Sequence, residues 1–122
     1  MAVERIEPRQ VIERMDRGET FMFIDARDDF HWGSSERKLP GAVRVPVRAA
    51  EDVLSRLEVK EPVVVYCSTA REDFSSRVAA RLKDLGFDNV YLLKGGFEAW
   101  EDAEGPDEPK EDGDDVEHGV VI

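Results

Sequence analysis

Residues 62–86 read PVVVYCSTAREDFSSRVAARLKDLG, and this stretch indicates the fold class most clearly. Val63 to Tyr66 form a short continuous apolar run, which is typical of a strand buried on both faces of a sheet. After a polar loop, apolar residues recur at helical spacing until Gly86 ends the helix: Phe74, Val78, Leu82 and Leu85. The stretch therefore predicts a strand, a loop and an amphipathic helix.

The same alternation of strands and helices extends to both sides of this stretch. Further short apolar runs predict strands over 21–25, 42–45 and 90–93. Helices are predicted from Pro8 to Gly18, over 49–57, and around Phe97 and Trp100 after the glycine pair Gly95-Gly96. Between them, residues 27–38 are polar and irregular, and a Pro40-Gly41 turn closes that segment. This order predicts an α/β domain with a mostly parallel sheet and right-handed crossovers.

Charge is distributed unevenly along the 122 residues, whose net charge is -11. Residues 1–100 hold 18 acidic and 16 basic side chains, whereas residues 101–122 hold 10 acidic and 1 basic. We expect one domain over 1–102 and an acidic, disordered tail over 103–122, because the tail has too few apolar residues to offset the entropy of ordering. No basic stripe is present, which argues against nucleic-acid binding.

Other classes of protein are excluded by what the sequence lacks. No apolar stretch approaches the roughly 18 residues that span a bilayer, and the first residues do not resemble a signal peptide, so we expect a cytoplasmic protein with no membrane contact. Cys67 is the single cysteine, and His31 and His118 are the only histidines. An internal disulfide is therefore impossible, and we expect no metal and no other cofactor.

Cys67 follows the strand 63–66 directly, at the sheet edge where parallel α/β proteins bind their ligands. A loop of small and polar residues at this point can turn its N–H groups inward and form a cradle for an anion. Such a cradle and the following helix favour a thiolate, and Arg71 can add a positive charge. The alternative is that Cys67 is simply packed, because free cysteine is among the most buried residue types.

Seven segments, in order over residues 6–100, closely resemble the single-domain rhodaneses, a sulfurtransferase family. The segments are Ile6-Glu7-Pro8-Arg9, Phe23-Ile24-Asp25-Ala26-Arg27, Leu39-Pro40-Gly41-Ala42-Val43-Arg44-Val45-Pro46, Val63-Val64-Val65-Tyr66-Cys67, Val78-Ala79-Ala80-Arg81-Leu82, Leu85-Gly86-Phe87-Asp88-Asn89-Val90 and Leu93-Lys94-Gly95-Gly96-Phe97-Glu98-Ala99-Trp100. The resemblance implies a three-layer domain with a central five-stranded parallel sheet and helices on both faces.

The same resemblance implies a reaction and a set of site residues. Cys67 would be the nucleophile that takes a sulfane sulfur, becomes a persulfide and passes the sulfur to a thiol or cyanide. The implied substrate-binding residues are Ser68, Thr69, Ala70, Arg71, Glu72, Asp73 and Arg27. Asp25 would support the site, and an Asp25–Arg27 ion pair that holds the loop is the structural alternative. The glycine pair would serve backbone geometry. We expect a monomer whose partners are small sulfur donors and thiol acceptors or a sulfur-relay protein.

Two loops depart from the family pattern. Either the cysteine loop is longer than in the family or the following helix starts earlier. Ala70 replaces a glycine, and Glu72-Asp73 stand where small or basic residues are usual; Asp73 can face the pocket or cap the following helix. In the segment 27–38, His31 stands where the family commonly has a glutamate, and it is interpreted as a loop residue and not a base. Arg37 and Lys38 fit either the pocket rim or a solvated loop.

Two other functions remain open on this sequence. A phosphatase or arsenate reductase on the same fold needs an arginine at the sixth position after the cysteine, where this chain has Asp73. A binding or regulatory module would keep the fold and lose turnover. Sulfur loading of Cys67, or its absence, separates these hypotheses.

Overall fold

The computed structural model describes residues 3–58, 61–69 and 73–110, without the side chain of Asp73. Strands and helices alternate along most of this part of the chain. In chain order the elements are β1 (Glu4–Ile6), α1 (Pro8–Asp16), β2 (Met22–Asp25), α2 (Asp29–Ser34), β3 (Arg37–Lys38), β4 (Val43–Arg44), α3 (Ala50–Leu54), β5 (Val63–Tyr66), α4 (Asp73–Asp84), β6 (Val90–Leu93), α5 (Gly96–Asp102) and β7 (Glu108–Pro109).

The main sheet has the strand order β1-β6-β5-β2-β4, and all its strand pairs are parallel. The predicted five-stranded parallel sheet is therefore confirmed. Strand β5 is central, with Val64 opposite Phe23 of β2 and Tyr91 of β6. Strand β1 was not predicted, because only Ile6 of its three residues is buried and so short an edge strand shows no apolar run.

Helices cover both faces of the sheet, as the resemblance implied. Val63 and Val65 of β5 pack into one apolar cluster with residues of α3 and α4, and Val64 and Tyr66 pack into the other with residues of α1 and α5. Successive residues of a strand point to opposite faces, so the continuous apolar run of β5 supplies both layers. Burying each such valine stabilises the fold by about 1.5–3 kcal/mol.

Helix α4 follows the predicted stripe except at its end. Val78 and Leu82 are fully buried, whereas Leu85 is exposed. The helix ends at Asp84, one residue before Leu85, and the chain then turns at Gly86, which has a φ of +103°. Leu85 therefore lies outside the helix and does not extend the stripe. Phe87 enters the core in its place.

The segment 27–38 was predicted to be irregular, and this was wrong in part. It contains α2 and β3. Asp28 caps α2, because its carboxylate accepts the backbone N–H of His31 at 2.8 Å. Of the α2 side chains only Trp32 is buried, and a six-residue helix with one buried side chain shows no detectable periodicity.

Residues 103–110, which the sequence assigned to the disordered tail, pack on the domain. Strand β7 pairs antiparallel with β3, and the Trp100 indole N–H donates to the carbonyl of Pro106 at 2.8 Å. The Arg37 guanidinium forms an ion pair with Asp107. Residues 111–122 lie outside the described residues, and the division of the chain at residue 102 stays a prediction. None of the helices in the described ranges is long and apolar enough to cross a membrane.

Candidate active site

Cys67 lies at the carboxyl end of β5, one residue past the last sheet position. The preceding carbonyl, of Tyr66, accepts the N–H of Ala26 at 2.7 Å, which ties the cysteine to the residue after β2. Cys67 is only 7% exposed, and its Sγ donates to the carbonyl oxygen of Thr69 at 2.9 Å. The sulfur atom is therefore held inside its own loop.

Helix α5 fixes the start of the cysteine loop from the opposite side. The N–H of Phe97 donates to the Cys67 carbonyl at 2.7 Å, and that of Glu98 donates to the Ser68 carbonyl at 3.0 Å. The first turn of a helix has N–H groups without helical partners, and here loop carbonyls satisfy them. Gly95 and Gly96 have φ values of +79° and +67°, so the glycine pair serves backbone geometry, as the sequence predicted.

Asp25 and Arg27 form a buried ion pair beneath the site. Nη2 of Arg27 lies 2.7 Å from Oδ2 of Asp25, and the two side chains are 2% and 0% exposed. The same Nη2 also donates to the carbonyl of Arg37 at 2.9 Å, which anchors the segment after α2. The guanidinium lies 4.4 Å from the ring centroid of Phe97, which adds a cation–π contact. This geometry favours the structural interpretation of the pair.

Tyr66 completes that network. Its hydroxyl donates to Oδ2 of Asp25 at 2.6 Å and accepts the N–H of Leu39 at 3.2 Å. Burial first, and then the negative charge of Asp25, raise the pKa of Tyr66 well above its ordinary value of 10.0. Tyr66 therefore remains a neutral donor, and it links the strand before Cys67 to Asp25.

Two adjoining cavities open at this edge of the sheet. The smaller, of about 200 Å³, is lined by Cys67 together with Ala26, Asp28, His31, Ser68, Thr69 and Phe74. The larger, of about 340 Å³, includes Arg27, Phe97, Glu98 and Glu101 in its lining. His31, Ser68 and Thr69 line both cavities. Of the predicted residues, Cys67, Ser68 and Thr69 thus line the smaller cavity, and Arg27 lines the larger one together with Ser68 and Thr69.

His31 was interpreted from sequence as a loop residue, but it lies on α2 and lines both cavities. Its Nδ1 is 2.8 Å from Oδ1 and 2.9 Å from Oδ2 of Asp28. The backbone N–H of His31 is the largest cause that lowers the pKa of Asp28. Sequence reasoning did not select Asp28, although a helix cap three residues before a histidine was a usable signal.

Other predicted residues lie elsewhere or outside the described ranges. Neither Arg37 nor Lys38 is among the residues that line the two cavities. Lys38 is buried, with its Nζ 3.2 Å from the Ala42 carbonyl, so the solvated-loop interpretation was wrong for it. Ala70, Arg71, Glu72 and the side chain of Asp73 lie outside the described residues, and the anion cradle stays a prediction. No group of three or more His, Cys, Asp or Glu side chains within the described ranges is placed to hold a metal ion.

The chain belongs to the rhodanese-like domain family, which matches residues 7–103. It is 35% identical over 83% of its length to the thiosulfate sulfurtransferase GlpE of Glaesserella parasuis and covers 89% of that protein. It is 30% identical to the probable adenylyltransferase/sulfurtransferase MoeZ of Mycobacterium tuberculosis, over 84% of this chain and 26% of that protein. The crystal structure of Alr3790 from Anabaena superposes with a TM-score of 0.71 at 28% identity, over 93% of this chain and 99% of that one.

Proposed function

We propose that this protein is a sulfurtransferase that carries a sulfane sulfur on Cys67. The observation that carries the proposal is the chain's single thiol, placed at the carboxyl edge of a parallel sheet on the wall of a cavity of about 200 Å³. That volume suits a small sulfur compound. The relatives named as sulfurtransferases support the same chemistry.

The reaction proceeds in two steps with one covalent intermediate. In the first, the Cys67 thiolate attacks the outer sulfur of a donor such as thiosulfate; the new Sγ–S bond forms as the donor S–S bond breaks, and sulfite leaves with the bonding pair. In the second, an acceptor thiolate or cyanide attacks the same sulfur. The Sγ–S bond breaks and returns its electron pair to Cys67, so no external oxidant or reductant is needed.

The thiol must leave its resting hydrogen bond before it reacts. The Sγ–H donates to the Thr69 carbonyl, but a thiolate has no proton to donate and is repelled by that oxygen. Deprotonation therefore favours rotation of Sγ away from Thr69. The proposal assigns Arg71 and the N–H groups of residues 68–73 to the stabilisation of the thiolate and of the donor's negative charge.

Several donors and acceptors fit this mechanism. The donor can be thiosulfate, a polysulfide or a persulfide, and the acceptor can be a small thiol, cyanide or the thiol of a sulfur-relay protein. The family loop normally lacks two adjacent carboxylates such as Glu72 and Asp73, and these would oppose anionic thiosulfate unless they point away from the cavity.

Intact mass spectrometry tests the proposal. The protein is incubated with thiosulfate or with polysulfide, desalted and weighed, and we expect a gain of one sulfur atom that dithiothreitol removes. The matched control is Cys67→Ala, which should gain none. A Cys67 that iodoacetamide alkylates but that takes no sulfur from either donor would contradict the proposal and favour a binding module. Release of phosphate from an aryl phosphate would favour the phosphatase instead.

A further inference from the structure

The side chains of His31 and Asp28 form a pair on the wall of the Cys67 cavity, and the two-step reaction above does not use them. His31 also lines the larger cavity, so its ring lies at the boundary between the two spaces. An acceptor thiol that reaches Cys67 through the larger cavity passes this ring. Imidazole is the side chain best suited to accept a proton near neutral pH.

Asp28 determines which nitrogen of the ring is basic. Both carboxylate oxygens lie within 2.9 Å of Nδ1 of His31. The pKa of Asp28 is below its ordinary value of 3.8, so at neutral pH its carboxylate can only accept and Nδ1 must carry the hydrogen. Nε2 is then the nitrogen that accepts a proton. The negative carboxylate also stabilises the imidazolium that forms.

The described charged groups near the ring come from several elements. Besides Asp28 on α2 itself, Glu98 and Glu101 of α5 line the larger cavity with His31. Arg27, from the end of β2, lines that cavity too, but Asp25 neutralises it. The positive charge of Arg44, from β4, lowers the pKa of Asp28, and Cys67, just after β5, lines the smaller cavity with His31. The neighbouring Phe30 and Phe74 carry no charge.

We propose that His31, oriented by Asp28, takes the proton from the acceptor thiol in the second step. This inference rests on the proposed sulfurtransferase function and adds a residue to it. The acceptor S–H bond breaks and its proton moves to Nε2; the freed electron pair forms the bond to the sulfane sulfur. The Cys67–sulfur bond then breaks, and Cys67 leaves as the thiolate. The imidazolium returns its proton to solvent. His31 is thus a catalytic residue, and Asp28 is a positioning residue.

The test separates loading from transfer. Wild type and His31→Gln are loaded with polysulfide, freed of donor and mixed at pH 7 with 2-mercaptoethanol, whose thiol is protonated, or with thionitrobenzoate, which is already ionised. We expect the two proteins to load equal amounts of sulfur. In His31→Gln, transfer to 2-mercaptoethanol should be about 100-fold slower than in the wild type, whereas transfer to thionitrobenzoate should be unchanged. Asp28→Asn should slow sulfur transfer to 2-mercaptoethanol by about 10-fold, because the asparagine amide still caps α2 but carries no charge. Asp52→Asn, an exposed aspartate on α3, is the matched control.

Dependence on pH gives a readout that a merely structural role would not move. A protonated imidazole cannot accept a proton, so the ratio of the wild-type to the His31→Gln rate with 2-mercaptoethanol should fall towards one as the solution is acidified. Equal rates in the two proteins, or equal slowing for both acceptors, would overturn this inference and leave the sulfurtransferase proposal standing. If Cys67 takes no sulfur in the wild type, the proposed function fails and the inference fails with it.

Discussion

Gly96 packs against the backbone of Cys67 so closely that a Cβ atom at Gly96 would lie 2.5 Å from the Cys67 carbonyl oxygen and 2.8 Å from that of Thr69. The reactive loop and the start of α5 are therefore one packed unit. The two N–H donors of α5 that bind loop carbonyls hold this unit together. The position of Cys67 depends on a glycine 29 residues away in the chain.

Replacement of Gly96 by alanine should displace this unit. The added methyl meets backbone atoms that cannot move aside, and the φ of +67° is itself strained for alanine, so we expect a loss of about 2 kcal/mol or more in the free energy of unfolding. Sulfur loading of Cys67 should slow as well. Gly33→Ala is the matched control, because nothing lies within 4 Å of its added Cβ; it should be neutral or slightly stabilising. Equal urea midpoints for the two variants would contradict this.

Loss of the Asp25 carboxylate should destabilise the whole domain. Asp25→Asn leaves the buried Arg27 without its counter-charge, and breaking such a pair costs about 3–5 kcal/mol. Urea unfolding followed by tryptophan fluorescence measures the change. The exposed pair of Asp52 with Arg56 provides the comparison, because Asp52→Asn should cost no more than about 0.5 kcal/mol. A loss below 1 kcal/mol for Asp25→Asn would mean that water reaches Arg27.

Stability at acid pH should depend on Asp28. Its pKa is lower in the folded protein than its ordinary value of 3.8, so the folded state binds fewer protons on this group than the unfolded state. The contribution of Asp28 to the free energy of unfolding is therefore complete above pH 3.8. It is lost as the pH falls through the lower pKa that this group has in the folded protein. The difference in urea midpoint between wild type and Asp28→Asn should therefore be present above pH 3.8 and shrink as the pH falls below that value. A difference that stays constant down to pH 2 would show that Asp28 does not contribute in this way.

Truncation tests where the folded domain ends. A chain that stops after Lys110 keeps β7 and the bond from the Trp100 indole to Pro106, and we expect it to unfold at the same urea concentration as the full chain. A chain that stops after Asp102 removes the Pro106 acceptor from the fully buried Trp100, and loss of that bond alone should cost about 1–3 kcal/mol. Matching stabilities for the two truncations would place the boundary at residue 102, as the sequence predicted.

The central elements and the place of the cysteine could be predicted from local sequence patterns. Strand β5 and helix α4 were predictable because four consecutive apolar residues and a stripe at helical spacing are local signals. The thiol's position at the strand end follows from the same run. The resemblance of the segments over 6–100 to rhodaneses added the number of strands in the sheet, which is five. The apolar pattern alone did not reveal β1, because that strand has only one buried residue.

The surroundings of the cysteine, in contrast, depend on contacts between distant parts of the chain. His31 and Cys67 are 36 positions apart, and nothing local in either segment indicates that they line one cavity. No local signal indicates the pairing of β7 with β3 either, in which Lys38 forms an ion pair with Glu108, 70 residues later in the chain. Glu108 lies in the segment whose composition predicted disorder. Helix α2 is too short for an apolar period and depends on its Asp28 cap and on the burial of Trp32. Local periodicity records which face of an element is buried, but which elements meet depends on packing between residues far apart in the chain.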